Sequence, residues 1–530
     1  MKKLPIGIQS IREILEEDQV YVDKTRFAKE LISAGKHYFI SRPRRFGKSL
    51  FLNTLEEIFK GNKELFKDCE IYNTDYDWQQ YPVLYFDFSQ ILSTSANELE
   101  TALKETLEDA AAAYGLSITG ASSQSQLRRL VTKLAEKNRV VILVDEYDHP
   151  IINHLKSPEL AEKNRDLLKD FFGTLKSLDR YLKFTFITGI SKFSRVSLFS
   201  ALNNLKDITM DPKYAGMMGY TEEEVKSYFA EHIQSIVSER QETSREKVLE
   251  EIREWYNGYR FSKSDLCVYN PFSTLNFMDE KEPAEYWYTT GTPSFLIDQL
   301  KNHPQSMISL DGTTARGDEL MDISSLDDID LKALMYQAGY FTIKDYHTLS
   351  KRYHLGLPNE EVRTAFMNSL TKHFTNKIDV RSSERFVKAL EKYEVEMLFD
   401  HVRVGFSSFA YQVFAGAQER TYQAMLLPML HGMGFDPLSE RATSTGRIDV
   451  VLEVPKVTYI MELKLDSSAN TALKQILQKE YFKPYLHKGK EVVILGANFS
   501  SEEHNVSEWR GEVLSQSGDK IRELFSTTPS

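Results

Sequence analysis

The chain has 530 residues, 41% of them hydrophobic and 12% aromatic, with a net charge of −11 and a pI near 5.7. Such a length calls for about two to four packed domains, and the acidic balance excludes a passive nucleic-acid coat, leaving local basic patches such as Arg42, Arg44 and Arg45 to make any such contact. Two cysteines, Cys69 and Cys267, lie far apart, which excludes a disulfide scaffold and a zinc centre and fits a reducing compartment.

The opening MKKLPIGIQSIREILEEDQ has no long apolar core, so it does not read as a signal peptide. No run of about 18 apolar residues follows, so no membrane span is expected and the expected location is the cytoplasm. Short apolar runs then alternate with helical patterns: HYFIS (37–41), VLYFDFS (83–89), VVILVDE (140–146) and FTFITGIS (184–191). Continuous apolar strands separated by helices predict a parallel sheet covered on both faces. In GYTEEEV, Thr221 is expected to cap a helix while Glu224 reaches back to it. Helical patterns dominate through Trp255 and through much of the middle, where ALMYQAGYFTIKDY predicts a helix followed by a strand. Beyond Gln418 a helix leads into closely spaced strands and then a further helix–strand alternation.

Two stretches carry chemistry. ISRPRRFGKSLF (40–51) ends like a phosphate-binding loop, G-x-x-x-x-G-K-[ST], but has Arg42 where the first glycine belongs. Such a loop needs a strand, a turn with inward N–H groups (Arg44, Arg45, Phe46 and Gly47 here), a lysine for the outer phosphates (Lys48) and a hydroxyl for Mg²⁺ (Ser49). The helix start that follows favours anions. RVVILVDEYD supplies the acidic partner: Asp145 to hold Mg²⁺ and Glu146 to activate the attacking water.

The second stretch is GRIDVVLEVPKVTYIMELKL (446–465). A hairpin centred between Pro455 and Lys456 pairs residues whose numbers sum to 911: Ile448 with Leu463, Val450 with Met461, Leu452 with Tyr459 and Val454 with Val457. A one-residue slip would destroy this apolar match. On the other face Asp449 stands opposite Glu462, and Arg447 opposite Lys464. Directly opposed side chains have Cβ atoms about 4.5–5.5 Å apart, so two carboxylates there repel unless a cation lies between them. Mg²⁺ is the natural candidate, with Mn²⁺ as an alternative. Lys464 points to the same face as Glu462.

These motifs resemble a known family. VYVDKTRFAKELI followed by RPRRFGKSLFLNTL, then DEYDHPI, TGISKFSRVSLFSALNNLKDIT, WYNGYRF and VYNPFS, is similar to the AAA-ATPase-like family of bacterial proteins with a C-terminal nuclease-like domain. In that family the loop reads RPRRFGKS, so Arg42 matches. The D…E-x-K hairpin resembles the PD-(D/E)XK nuclease superfamily. The resemblance implies an α/β multidomain chain. Residues 1–280 would form an ASCE-type P-loop ATPase domain with a parallel sheet and a helical lid, 281–400 a mostly helical connector, and 401–530 a restriction-endonuclease-like α/β domain.

It further implies that Thr188 or Ser191 reads the γ-phosphate, and that Arg195 serves in trans if rings form, a surface salt bridge being its plainer role. Asp449 and Glu462 would be metal ligands and Lys464 would position the nucleophilic water. Glu419 would complete the site, with Glu440 the alternative, while Gln475 and Tyr481 would face substrate. The implied cofactors are ATP and Mg²⁺, and the implied partner is DNA or RNA; whether ATP is hydrolysed or only bound, and whether the chain forms a homo-oligomer, stay open. The rival reading is an ATP-dependent binding or signalling switch whose nuclease fold grips without cutting.

Overall fold

The computed structural model describes the chain except residues 193–203, 241–242, 289–312, 322–329, 367–382, 408–413, 415–416, 434, 436, 444–445, 487–488 and 526–530. Arg195 and the side chains of Glu440 and Arg447 lie outside the described residues. Two compact units emerge, one of Met1–Leu296 with Asp311–Val362, the other of Ile297–Leu310 with Arg363–Ser530.

The first unit is built on strands β1 (His37–Ser41), β2 (Val83–Asp87), β3 (Val140–Asp145), β4 (Leu182–Gly189) and β5 (Lys206–Asp207) in the order β2-β3-β4-β1-β5. All neighbours pair parallel. Every residue of β1 and β3 is buried, which explains the continuous apolar runs Tyr38–Ile40 and Val140–Val144 within them. Because β4 lies between β1 and β3, the turn leaving β1 and the acids leaving β3 open onto the crevice at the strands' C-terminal ends, where α/β sheets bind ligands.

After the sheet, the helix Glu222–Tyr228 has the expected capping box: Thr221 Oγ1 accepts from Glu224 N and Glu224 accepts from Thr221 N. Glu224 also receives Lys24 Nζ at 2.6 and 2.7 Å, so the DK of the first motif is a tether to this helix. Helices Ala230–Glu239, Arg245–Tyr256 and Pro271–Glu280 share an apolar core with it. The helix Leu331–Ala338 and the strand β7 (Thr342–His347) follow as expected, and β7 pairs with β8 (Arg352–Gly356), which pairs in turn with β6 (Thr314–Arg316).

The second unit holds a mixed sheet of β9 (Leu438–Thr443), β10 (Gly446–Glu453), β11 (Val457–Leu465), β12 (Glu491–Ser500), β13 (Asn505–Leu514) and β14 (Lys520–Phe525), in the order β14-β13-β12-β11-β10-β9. Only β11 and β12 pair parallel. One apolar cluster joins Val450, Leu452, Tyr459 and Met461 to the helices Val395–Ser407 and Glu419–Gly432. A second joins Val451 and Ile460 to the helix Ala469–Lys479. The chain is thus α/β and multidomain, with a parallel sheet first and a mixed sheet last. Among the described residues no helix is long and apolar enough to cross a membrane.

Candidate functional site

In the first unit the turn after β1 wraps around Lys48. This lysine is buried, and its Nζ donates to the carbonyls of Arg42 and Pro43, both at 3.0 Å. Burial pulls its pKa below the ordinary lysine value, against the upward pull of Asp145, Glu146 and Asp148. An ammonium short of water and held by neutral carbonyls is a ready partner for an anion. Arg45 and Gly47 both have left-handed φ, +66° and +87°, a conformation that costs a non-glycine residue about 1 kcal/mol or more.

Arg42 accounts for the missing glycine. It is buried, and its Nη1 donates to the carbonyls of Ser41 at 2.9 Å and Thr209 at 2.8 Å. Its guanidinium lies 4.2 Å above the Phe261 ring, and burial lowers its pKa to about 10. Every residue from Arg42 to Phe46 is backed in this way by later chain. A Cβ on Gly339 would lie 2.7 Å from the Pro43 ring, Arg44 O accepts from Trp287 Nε1 at 3.0 Å, Arg45 stacks over Phe272 at 4.9 Å, and Phe46 packs on Tyr259 at 4.8 Å. The side chain of Phe46 is therefore core, and only its backbone faces the turn. From WYNGYRF, Tyr259 and Phe261 take part in the backing: both are buried, Tyr259 against Phe46 and Phe261 against Phe46 and Arg42.

Across the crevice Asp145 is 3% exposed and accepts from Thr188 Oγ1 at 2.5 Å. Glu146 has a left-handed φ of +49°, and burial raises its pKa, the direction that suits a carboxyl acting as a base near neutral pH. Ser191 is fully buried; its N–H and Oγ donate to Asp148 at 2.7 and 2.8 Å. The hydroxyls expected at the γ-phosphate thus hold the acids in place here. Arg44, Arg45, Gly47, Lys48, Ser49 and Glu146 line a common cavity of about 370 Å³, joined there by His149. An apolar slot of about 60 Å³ also borders Gly47, with Tyr220 and Pro271 in both linings. Asp148, His149 and Trp287 were not singled out from sequence; Asp148 and His149 stand inside DEYDHPI, but nothing local marks Trp287.

In the second unit the hairpin has the expected register: Val450↔Met461, Val451↔Ile460, Leu452↔Tyr459 and Glu453↔Thr458 all sum to 911. Val454 N closes it on Val457 O at 2.9 Å. The pairing ends at Val450, and Leu463 N donates instead to Asp449 Oδ2 at 2.8 Å. Beyond that fork Ile448 packs in the cluster of Val451 and Ile460 while Leu463 belongs to the other, so their expected facing pair does not form.

At the fork Glu462 is 2% exposed, and its pKa is pushed up to about 8 by burial first and by Asp449 second. Its Oε1 accepts from Gln475 Nε2 and from Lys464 Nζ, the latter at 3.2 Å. Its Oε2 is buried with no hydrogen-bond partner. Lys464 Nζ also reaches Glu419 Oε1 at 3.2 Å and Leu463 O at 2.9 Å. Burial works against its charge, but Glu462 and Glu419 outweigh that and hold its pKa above the ordinary value. Gln423 Nε2 donates to the Asp449 carbonyl at 2.8 Å, and Tyr481 is buried. The fold therefore gathers Glu419, Asp449, Glu462, Lys464 and Gln475. An unpartnered carboxylate oxygen beside a second carboxylate is a hard-oxygen donor set that suits Mg²⁺ or Mn²⁺. Among the described residues no three His, Cys, Asp or Glu side chains form a ready metal cluster; the ammonium of Lys464 stands between Glu419 and Glu462.

Comparison with known proteins agrees with both halves. A family model described as "Predicted AAA-ATPase" matches residues 5–199, and one described as "PD-(D/E)XK nuclease superfamily" matches residues 417–509. A protein of Azotobacter chroococcum mcd 1, described as an uncharacterized protein in the vnfD 5′ region, is 36% identical over 519 residues, covering 95% of this chain and 98% of that one.

Proposed function

Because the chain belongs to the family of predicted AAA-ATPases that carry a C-terminal PD-(D/E)XK nuclease-superfamily domain, we propose that it hydrolyses phosphodiester bonds in DNA or RNA under the control of bound ATP. The phosphates of ATP would lie in the turn Arg42–Ser49, with Lys48 exchanging its two carbonyl partners for the outer phosphates. Ser49 and Asp145 would hold the accompanying Mg²⁺, and Glu146 would take a proton from the attacking water.

At the hairpin Asp449 and Glu462, with Glu419 at the rim, would hold a divalent cation, which when bound supplies Lewis-acid stabilisation of charge on the phosphate. Lys464 orients the nucleophilic water and stabilises the developing negative charge. Gln475 fixes the Glu462 carboxylate by donating to Oε1, which leaves Oε2 open. That open, buried oxygen is the observation that carries the nuclease reading: leaving a buried acceptor unmet costs about 1–3 kcal/mol, and a site that binds a cation has a reason to bear it.

The position of Lys464 between Glu419 and Glu462 favours a second reading, in which the ammonium neutralises the acids permanently and the domain grips nucleic acid without cutting. Labelled DNA and RNA incubated with purified protein and Mg²⁺, with and without ATP, separate the two. ATP-dependent cleavage supports the nuclease; retention of nucleic acid with no cleavage under any nucleotide or metal supports the switch.

A further inference from the structure

We infer that Trp287, held by Glu361, is a positioning residue for the phosphate loop, tying the Arg44–Arg45 peptide to the last residues of the first unit. The inference rests on the reading that ATP binds this loop. Trp287 is 2% exposed, and its indole N–H donates to Arg44 O at 3.0 Å. The C=O and N–H of one peptide plane point in opposite directions. A carbonyl of Arg44 turned toward Trp287 therefore turns the N–H of Arg45 away from it, toward the interior of the turn, where a phosphate oxygen needs a donor. Arg45 has a left-handed φ of +66°, which a non-glycine residue adopts only when its surroundings hold it there.

Trp287 is itself anchored. Its main-chain N–H donates to Glu361 Oε1 at 2.6 Å. Glu361 is fully buried and also accepts from Ser273 Oγ at 2.7 and 3.0 Å, next to the Phe272 that carries Arg45. The stretch just before Glu361 is seated as firmly. Asn359 Nδ2 donates to Asn257 O at 2.7 Å, and a Cβ on Gly258 would lie 2.2 Å from Pro358 O. The unit ends one residue later, at Val362. WYNGYRF, VYNPFS and the Leu357–Val362 strap thus form one clamp around the outside of the loop, and the conformation that admits phosphate is coupled to the exit of the chain.

The test uses the full-length protein. Trp287→Phe keeps a ring against Gly339 and Tyr340 but removes the donor. ATP affinity and the kcat and KM of hydrolysis are measured beside the thermal midpoint. The expected result is about tenfold weaker ATP binding, the equivalent of one lost hydrogen bond, with the midpoint little changed. Glu361→Ala should weaken ATP in the same way, and Glu361→Gln, which keeps an acceptor for the Trp287 N–H, should recover most of that loss. Should Trp287→Phe not fold, the Glu361 pair decides alone. Wild-type ATP affinity in Trp287→Phe or Glu361→Ala, or losses that only track a fallen midpoint, overturn the inference while leaving the nucleotide site standing. No ATP binding by the wild type overturns both.

Discussion

Glu361 allows a quantitative test of the clamp. Burial, with Glu285 adding to it, raises its pKa from 4.5 to about 8, against the lowering effect of the Trp287 N–H and the Ser273 hydroxyl. Of the other titratable groups facing it, Tyr256, Tyr259 and Tyr286 all have raised pKa values, so they face it uncharged near neutrality. The sign follows from proton binding. Below about pH 4.5 folded and unfolded chains both hold the proton, and pH has no effect through this group. Between there and about pH 8 the folded chain keeps a proton that the unfolded chain has lost, so stability falls as pH rises, by up to about 1.4 kcal/mol per pH unit. Above that range the loss is complete, at about 5 kcal/mol. Glu361→Gln cannot titrate, yet it presents an oxygen to the Trp287 N–H and an amide to Ser273. Denaturant unfolding of both proteins at about pH 5, 6, 7 and 8 should show the variant gaining on the wild type with each step. A gap that stays constant with pH would mean that Glu361 is an anion in the fold, and a neutral hub would be the wrong description.

Lys48→Ala should abolish ATP binding in a calorimetric titration, whereas Glu146→Gln should bind ATP and hydrolyse it slowly; equal affinity in the first or equal turnover in the second contradicts the assigned role. Gly258→Ala adds a Cβ at a φ of +91° and 2.2 Å from Pro358 O, so the unfolding free energy should fall by about 2–4 kcal/mol, and an unchanged value would refute the close seating of the strap. Mg²⁺ or Mn²⁺ should raise the thermal midpoint of the full-length protein by relieving the repulsion between Asp449 and Glu462, and the part of that rise that comes from the hairpin should vanish in Asp449→Asn.

What sequence revealed and what it hid divide along a physical line. The runs at β1, β3 and β4 were legible because strands buried on both faces are apolar at most positions, and these runs are short, rich in β-branched and aromatic residues and separated by longer helical patterns. The hairpin register was legible because apolar side chains match across it only when the paired numbers sum to 911. Its fork was not, because the strands part where Asp449 Oδ2 takes the Leu463 amide, a side-chain contact that no periodicity encodes. β5 is two exposed polar residues long and leaves no pattern to read. The loop without its first glycine was ambiguous for a related reason. The partners that make Arg42 acceptable, Thr209 and Phe261, are 167 and more residues downstream, and Trp287 is 243 beyond Arg44. Ser191 shows the limit of a motif: its place after β4 was legible, but its hydroxyl is committed to Asp148.

The most direct measurement compares wild type with Lys464→Ala on labelled DNA and RNA, in Mg²⁺ and ATP, following cleavage and binding in the same samples. The ammonium would act on the attacking water and the developing charge, whereas affinity for a nucleic-acid backbone is spread over many phosphate contacts. Cleavage by the wild type, with cleavage lost and binding largely kept in Lys464→Ala, is the predicted result. A wild type that binds and never cuts, or a Lys464→Ala variant that cuts at full rate, would contradict the assignment of phosphodiester hydrolysis to this hairpin.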